Sequence, residues 1–395
     1  MSVVFQEGVL SDIARVTMGQ SPKKEFVSST QEGLPLLNGP TEFGSSHPTP
    51  VQWSTSFSKT AEPGDILFCV RGSTTGRMNW ADQQYAIGRG IASISAINPQ
   101  ERHFVRAAID LVLPELLAAA TGSTFPNVSR LQLSELPVAL PSAAVRTEIS
   151  GLLGALDDKI DLHDRQRGLC RKLGLAYMSR LTRDAVKVPL KYYAKSISRG
   201  VTPKYYKDED TTPILVLNQR CVRDGWVSLD SARLMLPRVR EKKAAIAEFD
   251  DLLVNSTGQG TLGRVARWSH QEPVYADSHL TIVKADPQRI YPILLPYLVF
   301  PLQSAIEQMA EGSTGQTELS PSNLGSLKVP LIRFEEQNTV AAQLLALEEM
   351  AHHCSIETRI LTELRDTLLP ELMSGRMRVD EAGQLVSEAL DKEVR

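Results

Sequence analysis

Two glycine-rich loops hold most of the side chains in this sequence that could do recognisable chemistry. The first carries Arg71, Ser73, Thr74, Thr75, Arg77 and Asn79, with Arg89 following. The second carries Asn255, Ser256, Thr257, Gln259, Thr261 and Arg264. Lys204, Asn218 and Arg220 complete the candidate set. Arginine suits the guanine edge, Asn and Gln suit adenine, and hydroxyls or glycine amides suit phosphate oxygens. Polar side chains are ordinary in loops, so no single residue argues for a contact. The informative point is position: the loops stand at the same place in two halves of the chain and differ in side chains, as readers of two different half-sites should.

Other chemistries fail on spacing. Gly258-Gln-Gly260-Thr-Leu-Gly263 matches the dinucleotide fingerprint, which needs a helix after its last glycine to hold pyrophosphate. The sequence continues Arg264-Val-Ala-Arg-Trp268 and then reaches Pro273, a strand-and-turn pattern. No G-x-x-x-x-G-K-[ST] is present, so ATP hydrolysis is not expected. The Asn-Pro-Pro-aromatic and Asp-Pro-Pro-Tyr tetrapeptides of adenine-methylating enzymes are also missing. Glu241-Lys-Lys243 with Asp230 falls in a charged, helix-like stretch and reads as a solvated face. His352, His353 and Cys354 are neighbours that a helix points in different directions, which does not make a metal site. The four cysteines are far apart, with no C-x-x-C pair. The chain is expected not to be an enzyme and to bind neither metal nor cofactor.

The elements that position these loops are laid out in duplicate. Gly19-Gln-Ser-Pro22 recurs as Gly200-Val-Thr-Pro203, and Leu37-Asn38 as Leu217-Asn218. GDILFCVRGSTTGRM from Gly64 returns as DDLLVNSTGQGTLGRV from Asp250, with one extra residue in the loop. GST at Gly122 returns at Gly312, and LSELPVAL from Leu133 as LGSLKVPL from Leu324. The matches keep their order along the chain, which isolated coincidences do not.

Each repeat has a mixed part and a helical part. In the mixed parts, short apolar runs (Ile66 to Val70, Ile91 to Ile97, Leu252 to Val254, Leu280 to Val283) read as strands between turn residues. Val105 to Ala120 and Tyr291 to Ala310 read as helices, the second broken by its prolines. The period then changes. Ile149, Leu153, Leu156 and Ile160 follow steps of three and four, as do Val340, Leu344, Leu347 and Ala351, then Leu361 and Leu368. A shift of 191 residues superposes the first two sets. Each helix spans roughly 40 residues, about 60 Å. They are expected to pair antiparallel along this seam, with Gly151, Gly154, Gly168 and Gly174 threatening a break in the first.

Composition agrees. The 395 residues are 42% hydrophobic and 23% charged, room for two to three domains of ~150 residues each. No run of 18 apolar residues and no signal-like start appear, so no membrane partner and a cytoplasmic address are expected. The net charge of -3 is awkward for unaided grip on nucleic acid. It hides an asymmetry: Lys187 to Lys243 holds thirteen Lys/Arg against six Asp/Glu, and Glu335 to Arg395 holds six against thirteen.

With these blocks in place, the chain resembles the specificity subunits of type I restriction–modification systems over nearly its whole length. The resemblance rests on GVLSDIARVTMGQSP, the GDIL and DDLLVNSTGQGTLG blocks, the LPVALPS and LKVPLIR exits, EEQNTVAAQLLALEE, and LTELRDTLLPELMSGRMRV. The second repeat opens with a divergent version, VPLKYYAKSISRGVTP. The resemblance implies an α+β chain: target-recognition domains at 1–142 and 186–333, conserved helices at 143–185 and 334–378 as a coiled-coil-like spacer, and an acidic tail at 379–395. It implies that each domain reads one half of a bipartite double-stranded DNA target. It also implies that the helices set the spacing and dock two modification subunits, which hold S-adenosylmethionine and methylate adenine, with motor–nuclease restriction subunits joining them. Two other readings stay open: an assembly scaffold without DNA specificity, and a specificity subunit of a methylation-only defence system.

Overall fold

The computed structural model describes residues 5–119, 127–206, 212–237, 242–311 and 317–393. Its contacts divide the chain into one unit of Met1–Arg165 with Ser355–Arg395 and another of Gln166–Cys354. The mixed parts of the two repeats fall in different units. The long helices do not stand apart as separate segments, because each contributes one stretch to each unit.

In the first unit, Ile66–Cys69 is a run of four fully buried residues and therefore an interior strand. It lies in an antiparallel sheet ordered Ala14–Met18, Ile91–Ala96, Ile66–Cys69, Met78–Trp80. A second sheet runs Val27–Ser28, Trp53–Ser54, Leu34–Leu37, Tyr85–Ile87, Thr60–Ala61, with Leu37 opposite Ile87 in a parallel pair. Gln6–Val9 pairs with Pro137–Leu140. The helix Arg102–Ala119 packs Phe104, Val105 and Ile109 on Ile66, Phe68 and Ile94.

The second unit repeats this plan. Its antiparallel sheet is ordered Ala194–Arg199, Leu280–Ala285, Leu252–Asn255, Val265–Arg267. Its second sheet has Arg233–Met235, Ile214–Leu217, Val274–Ala276, Ile246–Ala247, with Leu217 opposite Ala276 in parallel. Lys187–Pro189 pairs with Lys328–Pro330. The duplication read from the sequence is thus a duplication of strand order and direction. The proline-rich helix is broken as expected, into Leu294–Val299, a 3-10 turn Phe300–Leu302, and Gln303–Gln308. The GST repeats at Gly122 and Gly312 lie outside the described residues, as does Glu241. Lys243–Ala245 is a single 3-10 turn leading to the strand Ile246–Ala247.

The long helices are Ala143–Leu181, 39 residues, and Phe334–Met373, 40 residues. The feared break is missing. A Cβ on Gly154 would meet the His103 ring at 2.9 Å, and one on Gly174 would meet Tyr297 at 2.5 Å and Leu344 at 3.0 Å. These two glycines let side chains seat on the helix rather than interrupt it. In the first unit Arg365 donates to Asp157 at 3.1 Å, and His163 lies 3.1 Å from Glu357. In the second, Cys354 donates to Gln166 at 3.4 Å, and Arg171 lies 3.6 Å from Glu348. Within each unit the partners descend along one helix as they climb the other, an antiparallel pairing.

The seam is less purely helix-to-helix than its period suggests. Ile149, Leu153, Leu156, Leu344, Ala351, Leu361 and Leu368 are buried, and Ile160, Val340 and Leu347 are half-buried. Ile149, Leu153 and Leu368 pack into the first unit's core beside Phe104 and Leu133, and Leu344 packs into the second's beside Tyr297. Gly375, at φ +72, ends the second long helix in a left-handed turn, and Val379–Glu393 then forms an amphipathic helix with Ala382 fully buried on the first unit's core. Its acidic residues Asp380, Glu381 and Glu388 are exposed.

Gly151 has nothing within 4 Å of an added Cβ, so Gly151→Ala should stabilise by about 0.5–1 kcal/mol through helix propensity. Gly174→Ala should instead destabilise by about 1–3 kcal/mol, because Tyr297 has no room to yield. Thermal unfolding of the two variants checks both signs.

Candidate nucleic-acid interface

The polar loops are built by backbone geometry that the two units share. Gly19 follows the strand Ala14–Met18 and passes so close to the next loop that a Cβ would lie 2.2 Å from the Gly88 carbonyl oxygen. At Gly200 the same Cβ would lie 2.1 Å from the Asp277 carbonyl oxygen. Each glycine amide donates across, Gly19 to Ile91 and Gly200 to Leu280. This close approach is why glycine opens both repeated tetrapeptides.

The strands Ile66–Cys69 and Leu252–Asn255 run into the two glycine-rich loops. Gly72 and Gly76 take φ of +92 and +91, and Gly258 and Gly263 take +100 and +84. The loops close with equivalent bonds: Gly76 donates to Cys69 and Arg77 to Thr74, as Gly263 does to Asn255 and Arg264 to Thr261. Val70 donates to Gly90 as Ser256 does to His279. After Gly263 comes the strand Val265–Arg267, so the fingerprint-like stretch is a strand-to-strand loop. The aspartates that open these blocks also match. Asp65 accepts from the Glu62 amide at 2.9 Å and Asp251 from the Glu248 amide at 2.7 Å. Burial pushes the Asp251 carboxyl up, against the hydrogen bond from Lys284.

Several loops therefore meet at one end of each pair of sheets. In the first unit the Ser21 hydroxyl donates to Asn38 at 3.5 Å and accepts from the Arg89 amide at 3.2 Å. In the second, Thr257 lies 2.6 Å from the His279 ring, and Asn255 donates to the Gln219 carbonyl at 2.9 Å.

The structure divides the candidates. Arg71, Ser73, Thr74, Arg77, Arg89, Lys204, Arg220 and Gln259 are exposed, and Thr261 and Arg264 are half-buried. Thr75, Asn79, Asn218, Asn255 and Ser256 are buried and bonded within the loops. Thr75 donates to Gly72 at 2.8 Å. Asn79 donates to Gly44 and Ser45, and Asn218 accepts from the Arg220 amide while donating to Ser231. Asn255 ties Gln219 to Thr261, and Ser256 pairs with the Thr281 hydroxyl. Their donor groups are met by loop carbonyls or neighbouring hydroxyls, while the Asn79 and Asn255 side-chain oxygens are buried without a partner among the described residues. Arg77 and Arg264 also spend guanidinium donors on loop carbonyls, Arg77 on Phe43 at 2.8 Å and Arg264 on Gly260 at 2.9 Å.

Other residues at these loop ends escaped the sequence reading. Lys23 follows Pro22 as Lys204 follows Pro203, and His279 precedes Leu280 as Gly90 precedes Ile91; laying the repeats side by side exposes both. Tyr205, stacked under Arg233 at 4.9 Å, is visible only once strand pairing brings those segments together. The surface is rich in donors and exposed cations, which suits phosphate oxygens and base edges. Among the described residues no group of His, Cys, Asp and Glu is placed to hold a metal ion, and no helix is long and apolar enough to cross a membrane.

Arg77→Ala and Arg264→Ala should each lower stability by about 1 kcal/mol by releasing loop carbonyls. Arg71→Ala and Arg220→Ala should stay within about 0.5 kcal/mol of the parent. Chemical denaturation of the four variants separates the two pairs.

Residues 3–168 match the model of the type I restriction modification DNA specificity domain. A protein of Methanocaldococcus jannaschii named as the type I restriction enzyme MjaX specificity subunit is 28% identical over 175 residues, 44% of this chain and 41% of that relative. The match therefore spans less than half the relative's length. The crystal structure of a type I restriction-modification S subunit from M. genitalium superposes with a TM-score of 0.59 at 19% identity, over 94% of this chain and 96% of that one. At that identity the likeness is one of fold.

Proposed function

We propose that the whole chain is a DNA sequence-recognition subunit of the type I restriction–modification class, a reading supported by the match of residues 3–168 to the DNA specificity domain model. Each unit reads one half of a bipartite double-stranded target. The observation that carries this reading is the pair of matched loop clusters, with one backbone plan and different exposed side chains. Arg71, Ser73, Thr74 and Arg89 face solvent in the first unit; Lys204, Arg220 and Gln259 do so in the second. One scaffold bearing two side-chain sets reads two sequences, and the asymmetry of the target follows.

The chain itself is non-catalytic in this proposal. Adenine methylation belongs to modification subunits that bring S-adenosylmethionine, and cleavage belongs to restriction subunits. The net charge of -3 supports a division of labour, because phosphate grip scales with the cations supplied and partners supply the remainder. The long helices dock the modification subunits. Exposed apolar residues on them, Leu169 at 62% and Met350 at 55%, support that role.

Methylome sequencing of cells with and without this chain, each with the modification subunit, tests the proposal. A bipartite motif with a fixed gap, present only when the chain is present, is expected. Methylation without a motif would point instead to a scaffold. On probes of the motif so found, Arg71→Ala should weaken binding through one half-site and Arg220→Ala through the other. Each should cost ~1–3 kcal/mol if it meets a guanine edge, or reduce the salt slope by about one if it meets phosphate. Loss at the same half-site in both variants would refute the two-reader arrangement.

A further inference from the structure

Asp157 and Glu348 occupy equivalent places on the two long helices, 191 residues apart, the same shift that superposes the seam. Each receives an arginine from the opposite helix of its own unit. Arg365 donates to Asp157 at 3.1 Å, and Arg171 lies 3.6 Å from Glu348. Each also receives a group from the recognition sheet or the helix beside it. In the second unit Arg267 donates to Glu348 at 2.8 Å, and the Tyr297 hydroxyl donates to it at 2.5 Å.

The first unit makes the equivalent connection with different residues. Trp80 pairs with Ile66 as Arg267 pairs with Leu252, so Trp80 and Arg267 share one register position. The Trp80 ring lies on His103 at 4.9 Å between centroids, and His103 lies 3.3 Å from Asp157. Both units thus join strand, acidic helix residue and opposing arginine. The second is deeply buried, with the Arg267 and Glu348 side chains each 4% exposed and Arg171 held between the Trp226 and Phe300 rings. A one-sided apolar contact permits sliding and rocking, whereas hydrogen-bonded charges demand one geometry.

From this correspondence we infer that Asp157 and Glu348 are positioning residues for recognition: each holds its recognition domain at one angle on the helix pair, and so fixes the permitted gap between half-sites. The inference rests on the proposed DNA-reading function. Neither residue touches a reading loop, so the bases preferred in each half-site do not depend on them.

The test uses the full chain assembled with its modification subunit and a DNA library carrying both half-sites separated by gaps of varied length. The wild-type complex should methylate one gap length. Asp157→Asn, at a position whose side chain is 26% exposed, should raise methylation of neighbouring gap lengths by about tenfold relative to the parental one, with base preferences intact. Asp157→Glu should restore the narrow preference, which mere loss of stability would not predict. Arg365→Gln removes the same bond from the other helix and serves if Asp157→Asn does not assemble. Glu348→Gln should broaden the gap in the same way from the second unit. An unchanged gap preference in a folded, assembled Asp157→Asn or Arg365→Gln complex overturns the inference, as does a change in the bases read. A wild-type complex without any bipartite preference defeats the underlying functional reading instead, so the two failures are distinguishable.

Discussion

A helix of about forty residues with a single apolar stripe is not stable alone in water; it must bury that stripe on something. Here both long helices meet this requirement twice, against the core of a mixed sheet unit and against each other. Leu153 and Leu344 show the pattern. Each is 3% exposed or less, and each belongs to the same apolar cluster as the sheet-covering residues of its unit. Full burial of a leucine contributes about 1.5–3 kcal/mol, so a few such positions anchor a sheet to a helix firmly. The loops at the sheet ends inherit that rigidity. In the proposed function, a surface mounted on a freely sliding helix could not hold a fixed register on DNA.

The helix pair is polar in its middle. Lys159 and His163 both approach Glu357, and Gln166 accepts from Cys354. Polar contacts are weaker contributors to stability than apolar ones, but they are directional and penalise misregister. Burial alone would raise the Asp157 carboxyl, yet hydrogen bonds from His103 and Arg365 outweigh it and hold Asp157 below its ordinary value. A carboxylate so held adds stability above its unfolded value and loses that stability as pH falls through its folded one. The stretch that looks least like a hydrophobic seam is therefore where the alignment is most specific.

Within the loops the work is divided by burial. Glycines at 19 and 200 allow backbones to pass at distances that no Cβ tolerates, and buried Asn, Ser and Thr groups satisfy backbone that turns away from the sheets. Those positions are constrained by the scaffold. The exposed side chains between them, Arg71 and Ser73 or Arg220 and Gln259, satisfy few internal demands and can vary without altering the loop. A fold with this separation can change its exposed side chains without changing how it stands.

Much was legible in the sequence because it was written in periodicity and order. Ordered repeats such as Gly19-Gln-Ser-Pro22 and Gly200-Val-Thr-Pro203 gave away the duplicated topology, and steps of three and four marked the two long helices, which run over Ala143–Leu181 and Phe334–Met373. Turn chemistry after Gly263 was enough to exclude the nucleotide-binding turn. Burial of individual polar residues was not legible. Asn255 and Gln259 look alike in sequence, yet one is enclosed by Gln219 and Thr261 and the other faces solvent. The glycines of the first helix misled for a related reason: an isolated helix is weakened by Gly154 and Gly174, but a packed one uses them to admit His103 and Tyr297. The amphipathic helix after Gly375 was hidden behind its acidic composition. Local pattern is fixed by neighbours along the chain, so sequence determined the elements and their repetition. Which polar groups are enclosed, and which acid meets which arginine, depends on residues tens to hundreds of positions away, and only the packed chain brings those together.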